Sequence, residues 1–474
     1  MRFNFKYICS VCFLLLITSC KVGRHYSRPQ LDTPTAFRGE TVLTSNNSTD
    51  TVILKPSKFF KNKTLLVLLD SAFSRNSDLL TAAKNLELAE SRLRIAKLDF
   101  LPDLNLRLNN NYAKASKNSA VGQSAALGQS PNHRESQDYN ASLDIKWDAD
   151  IWGKIKREKE AAVAAYLESD EARKAVQTKL VMDVAKGYYN LLLLDEQHKI
   201  AIESKNLSDS TLAITRIQYQ IGEASELGLS QVEAQVKENQ ILLSQIEQNL
   251  SIQENALSLL CGSFASEIER EFSIEGEFNV IPSDGYPVSV LTARPDIKAL
   301  EYALIAANAK VGIAQANMYP ALNISLTGGV NALEASDWFS VPASLFGTVA
   351  GSITQPIFQK GRLKAAYNEA RIEREKSVIA FRQGVLDGYA QVSDALKNRF
   401  EIRKQLLYAK EREKALWRGV RSADVLYKAG VTNYLDVISV QSNYLQARLQ
   451  VAAYAKDQAT SNIELYYALG GGWE

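Results

Sequence analysis

The chain has 474 residues, with 55 Lys and Arg against 53 Asp and Glu, and a formal net charge of +2 at pH 7. A charge this close to balance gives no support to a nucleic-acid-binding protein. The three histidines show no paired spacing, which argues against a histidine metal site. The length would allow several ordinary domains, but internal repetition makes a domain count from length unsafe.

The first twenty residues have the pattern of a secretory signal. Two basic residues precede a short apolar run, and Ile-Thr-Ser then leads to Cys20. The apolar run is too short for a membrane-spanning helix. The four residues that end at Cys20 resemble the lipobox of bacterial lipoproteins, in which the cysteine becomes the acylated first residue. We therefore predict a signal peptide over 1–19 and lipidation at Cys20; an ordinary cysteine past a standard cleavage site is the alternative.

Removal of the signal would also remove Cys9 and Cys12, and Cys261 would be the remaining thiol. An intrachain disulfide is then impossible if Cys20 is acylated. Cys261 lies near the end of an apolar helical pattern, which is typical of an inert packed residue. The segment 20–71 contains prolines and shows no period, so we predict an extended, lipid-anchored tether.

A helical pattern from about 78 to 100 is followed by strict alternation of apolar and polar residues in two segments. The first contains Leu104, Leu106 and Leu108, and the second runs from Leu143 to Ile151 with aspartates and a lysine between its apolar residues. Such alternation predicts strands of a sheet with one apolar face and one wet face. A half-buried soluble sheet is one reading. The strand length, the charged face, and Trp147 and Trp152 at the apolar end favour a membrane barrel.

A second strand pair follows later, at 322–326 and, more weakly, at 348–358. Four strands cannot close a membrane barrel, and an open edge in lipid would leave backbone groups unpaired. The sheet must therefore be completed by other copies of the chain. Two copies would give eight strands and three would give twelve, and the sequence alone does not choose between them.

Each strand pair precedes a long helical pattern, from Gly153 to Ile221 and from Gly361 to Ala429. About seventy helical residues extend for roughly 100 Å. Gly187 and Gly384 lie inside these patterns, where we predict a local break or kink.

Both long helices end in a hairpin. From Leu416 to Leu449 apolar residues recur at intervals of three and four, with an interruption at Gly430. Glycine tolerates the left-handed backbone of a helix C-cap, and Asn433 can cap the returning helix. The segment 219–222 matches 427–430 with an offset of 208 residues. The returning arm of the first hairpin alternates spacings of three and four from Leu229 to Leu257, as in a coiled coil.

The constant offset indicates a duplicated unit. We predict a first repeat at 72–262, a linker at 263–292 and a second repeat at 293–474, each repeat containing a strand pair and a long helical hairpin.

Several motifs together resemble the TolC-type outer-membrane efflux family, in its lipoprotein branch that serves resistance–nodulation–division pumps. The similarity covers essentially the whole mature chain. The motifs are Tyr26-Ser27-Arg28-Pro29, Ala293-Arg294-Pro295-Asp296-Ile297, the run 306–312, Tyr319-Pro320-Ala321-Leu322 and Leu326-Thr327-Gly328.

This resemblance implies a mainly α-helical protein with a β-barrel. Three copies would form a twelve-stranded barrel in outer-membrane lipid and an α-helical periplasmic tunnel. The hairpin tips, with Gly222, Glu223, Gly430 and Asn433, would dock onto a periplasmic adaptor linked to an inner-membrane pump. The duct would need no cofactor and would do no chemistry.

The resemblance also assigns two gate or lumen residues. Tyr427 matches a tyrosine that helps to close the tunnel entrance, and Asp436 matches an acid whose three copies line the lumen. A second acid of the family falls here on Ser439, and a latch arginine and its acidic partner fall on Thr432 and Gly228. A core role for Tyr427 and a solvated position for Asp436 are the alternatives.

Three other functions are alternatives to an efflux duct. A duct for protein or peptide secretion would share the architecture. A lipid-anchored coiled-coil scaffold would have no use for strands with one charged face. An enzyme is unsupported, since the sequence shows no nucleophile–base pair, phosphate-binding glycine loop or metal cluster.

Overall fold

The computed structural model describes residues 22–32, 34, 36–38, 55–126, 134–270, 278, 286 and 288–473. The predicted signal peptide and Cys20 lie outside these residues. Within them the chain forms nine α-helices: α1 (Pro56–Phe59), α2 (Lys63–Arg75), α3 (Ser77–Leu98), α4 (Ala120–Ala126), α5 (Lys154–Gln220), α6 (Glu226–Leu260), α7 (Pro295–Ala316), α8 (Arg362–Lys428) and α9 (Tyr434–Ala468). The same residues form four strands: β1 (Asp103–Lys114), β2 (Glu135–Ala149), β3 (Ala321–Ala332) and β4 (Leu345–Thr354).

The chain divides into two compact units, which we call the strand unit and the helical unit. The strand unit comprises Met1–Pro29, Leu88–Tyr166 and Tyr302–Ile379. The helical unit comprises Gln30–Glu87, Leu167–Glu301 and Ala380–Glu474.

The strand unit contains one antiparallel sheet with the order β1-β2-β3-β4. Its register aligns residues of like polarity across all four strands. One row pairs Leu104 with Ile145, Ile145 with Leu326 and Leu326 with Val349. Because neighbouring residues of a strand point to opposite faces, the adjoining polar rows lie on the other face. The alternation in the sequence therefore places the apolar side chains on a single face of the sheet.

The last strand differs from the prediction. We expected a strand at 348–358, whereas β4 spans Leu345–Thr354. The sheet ends where Ala321 pairs with Thr354. Pro356 follows two residues later and has no backbone N–H to donate to a ladder. At the other end Val330 pairs with Leu345, which begins the strand earlier than the weak alternation suggested.

The two hairpins have identical lengths. Both α5 and α8 have 67 residues, and they begin 208 residues apart, at 154 and 362. Both α6 and α9 have 35 residues, and they also begin 208 residues apart, at 226 and 434.

The sequence predicted an extended segment over 20–71, but the end of this segment is helical in the structure. Helix α2 begins at Lys63, and Asn62 caps it by accepting a hydrogen bond of 2.9 Å from the Leu65 backbone N–H. The run of apolar residues from 65 to 69 hides the helical period in the sequence. Tertiary contacts hold the helix, since Leu65 and Leu69 are buried and the Leu68 carbonyl accepts from the Cys261 thiol at 3.5 Å.

Of the local break or kink predicted at Gly187 and at Gly384, the break is wrong, because α5 and α8 are continuous there. Both glycines instead allow close packing. A Cβ at Gly187 would lie 3.1 Å from a Leu257 methyl, and one at Gly384 would lie 2.4 Å from a Leu300 methyl.

The Arg294-Pro295-Asp296 motif has a structural role in the helical unit. Arg294 is buried and donates to the Ala468 carbonyl at 2.9 Å and to the Asp296 carboxylate at 2.6 Å. It also donates to the Gln391 side chain at 2.8 Å. A guanidinium at the carboxyl end of α9 satisfies a free carbonyl and opposes the helix dipole. The motif thus fastens the start of α7 to the end of α9.

Candidate functional site

The first hairpin tip is a tight helix-to-helix turn in the helical unit. Gly222 has a φ of +84°, and its N–H donates to the Tyr219 carbonyl at 3.1 Å. The Glu223 N–H donates to the Gln218 carbonyl at 2.8 Å, which completes a Schellman motif. Ser225 then caps α6 by accepting from the Gly228 N–H at 3.2 Å.

The second tip repeats this geometry. Gly430 has a φ of +73°, and its N–H donates to the Tyr427 carbonyl at 3.1 Å. The Val431 N–H donates to the Leu426 carbonyl at 2.9 Å. Asn433 caps α9 by accepting from the Asp436 N–H at 3.1 Å, as predicted from the sequence.

The four predicted docking residues, Gly222, Glu223, Gly430 and Asn433, are all exposed. A Cβ built at either glycine would meet no atom within 4 Å, so the turns stand in open space. The tips also expose large apolar side chains that we had not assigned to the site: Ile221, Leu227, Val431 and Leu435. The repeat offset of 208 residues could have revealed Leu227 and Leu435, because it aligns these two residues with each other. Exposed apolar groups on a tight turn are typical of a contact surface.

Tyr427 lies inside the helix seam. It is 4% exposed and packs with Ala423, Val437, Ile214 and Tyr434. Its hydroxyl shares a hydrogen bond of 2.8 Å with the Thr215 hydroxyl on α5. The sequence pattern allows both a core role and a gate role for Tyr427, and nothing in it marks Thr215 as the partner. Within one protomer, Tyr427 joins the second hairpin to the first.

Asp436 is exposed in the first turn of α9, and its carboxylate accepts a hydrogen bond of 2.5 Å from the Thr432 hydroxyl. The equivalent position of the first hairpin is Gly228. A Cβ there would lie 2.7 Å from the Tyr434 ring, so the ring occupies the space that a larger side chain would need. The first hairpin therefore has no room for an acid at this position.

The apolar face of the sheet is open in the strand unit. The residues that share it are large, apolar and exposed: Leu104, Leu106, Leu108, Leu143, Leu326, Val349 and Ile353. The opposite face carries polar side chains that form an ion pair and hydrogen bonds. The buried Asp144 carboxylate lies 3.1 Å from the Arg107 guanidinium and accepts from the Thr327 hydroxyl at 2.8 Å. A sheet in water would bury its apolar face, whereas this sheet leaves its apolar face exposed.

Trp147 and Trp152, the two tryptophans that favour a membrane barrel in the sequence, lie at one end of the sheet. The Trp147 indole donates to the Phe100 carbonyl at 3.1 Å, and the Trp152 indole donates to the Pro320 carbonyl at 2.7 Å. Tyr319 packs beside Trp152, with ring centroids 5.0 Å apart. Amphipathic aromatic rings of this kind suit a membrane–water boundary.

The segment just after Cys20 is held against the start of α5. Arg157 is buried and donates to the Gly23 carbonyl at 2.9 Å and to the Val22 carbonyl at 3.4 Å. The Asn308 side chain donates to the Arg24 carbonyl at 3.1 Å. A Cβ at Gly23 would lie 3.0 Å from the backbone of another segment, which requires the glycine. Arg157 had not been singled out in the sequence, because nothing local marks a buried arginine.

Cys261 is a buried free thiol, and burial raises its pKa above the usual range. Its pattern-based assignment as a packed residue agrees with this position. Across the residues that the structure describes, no three His, Cys, Asp or Glu side chains form a metal-binding group. Within the same residues no helix combines the length and the apolarity needed to span a membrane.

Comparison with known proteins gives a consistent family. The sequence model of the family described as Outer membrane efflux protein matches residues 68–263 and 286–471. The cation efflux system protein CusC of Escherichia coli O6:H1 is 28% identical over 466 residues, which cover 98% of each chain. The solvent efflux pump outer membrane protein SrpC of Pseudomonas putida is 28% identical over 471 residues, which cover 97% of each chain.

A solved structure has the same fold. The open state of the Neisseria gonorrhoeae MtrE outer membrane channel superposes with a TM-score of 0.85 at 25% identity, covering 96% of this chain and 99% of that one. The family match extends over both strand pairs and both hairpins, so the chain belongs to the family of outer membrane efflux proteins.

Proposed function

We propose that this protein is the exit duct of a tripartite efflux system in the outer membrane of a Gram-negative bacterium. The observation that carries the proposal is the sheet, which exposes its apolar face and lines the other face with an ion pair and hydrogen bonds. Lipid suits the first face, and a water-filled lumen suits the second. The duct is passive and does no chemistry; its energy comes from an inner-membrane pump.

Closure of the sheet requires other copies of the chain. Strands β1 and β4 each have one neighbour in the sheet, so each has an edge of backbone groups to pair. Lipid cannot satisfy such groups, whereas β4 of one copy can pair with β1 of the next. Three copies would complete a barrel of twelve strands, the assembly that the family resemblance implies.

The hairpins would build the periplasmic part of the duct and present their tips to a periplasmic adaptor. The open turns at Gly222 and Gly430, with Glu223 and Asn433 exposed beside them, support docking by another protein. The adaptor would connect the duct to an inner-membrane pump of the resistance–nodulation–division class.

Cys20 would be acylated after removal of residues 1–19. Since each residue extends the chain by at most about 3.6 Å, two residues place Cys20 within roughly 7 Å of Val22. Arg157 holds that segment, so the acyl chains would insert beside the sheet. The lipid anchor and the barrel would then occupy the same membrane.

Tyr427 and Asp436 would act at the entrance. The Tyr427–Thr215 hydrogen bond supports a resting position in which the second hairpin stays close to the first. Three exposed Asp436 carboxylates around one axis would favour cations. With Thr432 and Gly228 in place of a charged pair, closure would depend on packing.

The transported compounds are small toxic molecules selected by the pump. The relatives are named for cation efflux in one case and solvent efflux in the other, at the same identity of 28% to this chain. Equal similarity to both relatives supports a duct whose architecture is not tied to one class of compound. A peptide secretion duct and an envelope scaffold are the alternatives, and the polar inner face of the sheet disfavours the scaffold.

Cross-linking of the two edge strands tests this assembly. Protein with Asn109→Cys on β1 and Ser352→Cys on β4 is treated in membranes with a short bis-maleimide. We expect covalent products that end at three chains on denaturing gels, and a trimer mass by native mass spectrometry. The matched control places cysteines at Asn140 and Asn323 on the two central strands, which should give no interchain product. Products that end at two chains, or monomers alone, would rule out the twelve-stranded barrel.

A further inference from the structure

A cavity of about 350 Å³ lies among α5, α8 and α9 of the helical unit. Ile200, Leu207 and Leu445 form its apolar lining. Cavities of this size, with apolar walls and a few polar groups, are typical of small-molecule sites. None of the residues assigned to the duct function lines it.

Two aromatic rings form one wall. Trp417 of α8 and Tyr444 of α9 have ring centroids 5.3 Å apart and planes inclined by 31°. Trp417 is 45% exposed although it lines the cavity, so much of its ring surface is available to a ligand. A free indole face attracts flat aromatic groups and cations.

Two carboxylates and one guanidinium form the polar part of the lining. Arg448 contacts Glu203 in an ion pair, and its Nε lies 3.9 Å from a Glu413 carboxylate oxygen, beyond hydrogen-bond length. The arginine side chain is 16% exposed, against 30% for Glu413 and 47% for Glu203. The negative groups therefore face the open space more than the positive one, and they outnumber it.

We propose that this cavity binds a small, flat, aromatic organic cation. The ring of the ligand would stack on the open face of Trp417, and its positive charge would pair with Glu413. This binding site goes beyond the duct function, which needs no ligand to be held on the helices. The two proposals can therefore fail independently.

The chemistry of the lining disfavours other ligand classes. An anion would meet two carboxylates, and the one guanidinium that could receive it already contacts Glu203. A neutral aromatic molecule would keep the stacking on Trp417 but lose the charge pair. Burial raises the pKa of the Tyr444 hydroxyl; Arg448 lowers it, and the Glu413 and Glu203 carboxylates raise it, and the net direction is upward. The phenol therefore adds no competing negative charge.

A bound ligand would touch three helices at once. Since α5 belongs to the first hairpin and α8 and α9 to the second, the ligand would stabilise the arrangement in which the cavity exists. A ligand that binds one arrangement of helices shifts the population toward it.

Ethidium is a suitable probe, because it is a flat aromatic monocation that becomes more fluorescent when it leaves water. Full-length protein in detergent is titrated with ethidium at low salt. We expect saturable binding that weakens about tenfold in Glu413→Gln, an isosteric change that removes the charge pair. Trp417→Leu should weaken binding by about fivefold through loss of stacking.

Glu411→Gln is the matched control, because Glu411 is an exposed acid of α8 outside the cavity. The affinity of this variant for ethidium should stay within about twofold of that of the unmodified protein. Phenanthridine, the uncharged parent ring at neutral pH, should compete weakly. Equal ethidium affinity in Glu413→Gln, Trp417→Leu and the unmodified protein would overturn the proposal, as would absence of saturable binding.

Discussion

The two helical hairpins have equal lengths, but they are held together by different interactions. In the first hairpin, amide side chains cross the seam between α5 and α6. The Asn239 amide donates to the Ser208 hydroxyl at 2.5 Å, and the Asn190 amide donates to the Gln253 side-chain oxygen at 2.8 Å. Gln253 also donates to the Gly187 carbonyl at 3.1 Å.

Arg270 adds a second link within the first hairpin. It binds both carboxylate oxygens of Asp195 on α5, at 2.5 and 2.9 Å, and the Glu254 carboxylate on α6 at 2.6 Å. The Asp195 hydrogen bonds are the main cause of its raised pKa. Buried polar pairs of this kind fix which residues face each other along a coiled coil.

On its returning helix α9, the second hairpin has small residues where α6 of the first has seam amides. Ala447 and Ser461 stand 208 residues after Asn239 and Gln253, and both are buried. Arg412 on α8 donates to the Gln450 side chain on α9 at 2.7 Å, but this bond is exposed. More deeply placed polar links run to α5 of the first hairpin, through Tyr427 to Thr215 and through Gln441 to Thr211 at 3.0 Å. The duplicated sequence has thus produced one hairpin with buried amide links across its own seam and one whose more buried polar links run to the neighbouring hairpin.

The largest effect that would test this difference is expected for Tyr427→Ala. Removing a buried aromatic side chain and its hydrogen bond should lower the free energy of local opening at the second tip by about 3–5 kcal/mol. The equivalent Tyr219 is 42% exposed, so Tyr219→Ala should change the free energy of local opening at the first tip by less than about 0.5 kcal/mol. Hydrogen exchange of tip peptides, read by mass spectrometry, measures both. Equal losses at the two tips would contradict the asymmetry.

A second test places an acid in the first hairpin. Gly228→Asp should destabilise the first tip by about 1–3 kcal/mol, because the new Cβ meets the Tyr434 ring. Asp436→Ala, at the equivalent exposed position, should cost less than about 1 kcal/mol. Hydrogen exchange again gives the comparison. An unchanged opening free energy at the first tip in Gly228→Asp would show that the Tyr434 ring moves away without cost.

A third test concerns the amides of the first seam. Asn239→Ala should lower the opening free energy of α6 by about 1–2 kcal/mol through loss of the bond to Ser208. Asn255→Ala is the control, since Asn255 is exposed on the same helix. If the two substitutions have the same effect on exchange along α6, the amide pairs do not set the register.

The smallest effect is expected for Asp436→Asn, which leaves the fold intact. If three Asp436 carboxylates line the lumen, the cation-to-anion permeability ratio should fall by roughly a factor of two in planar bilayers. Asp424→Asn, which removes an exposed acid paired with Lys428, should leave the ratio unchanged. An unchanged ratio in Asp436→Asn would remove Asp436 from the lumen.

Much of this architecture follows from local sequence. Gly153 and Gly361 precede the long helices, and Gly222 and Gly430 follow them, all with positive φ. The predicted ends of the two long helices therefore lie within one residue of those in the structure. The sheet register follows from alternation, because a shift of one residue would turn every apolar side chain to the polar face.

The rest depends on partners far away in the chain. Helix α2 lacks a readable period and is held by contacts with the end of α6, such as Leu68 with Cys261. The burial of Tyr427 depends on Thr215, and that of Arg157 on carbonyls of residues 22 and 23. No local pattern reveals such contacts. Motif resemblance pointed to Tyr427 but did not show which group it binds.

Photo-crosslinking in living cells tests the exit-duct function most directly. A photoreactive amino acid replaces Glu223 at the first tip or Asn433 at the second, and the adducts are identified by mass spectrometry. We predict covalent capture of a periplasmic adaptor from both positions, together with its inner-membrane pump. Adducts with envelope scaffolding proteins only, or no adducts in cells that contain abundant protein, would contradict the exit-duct function.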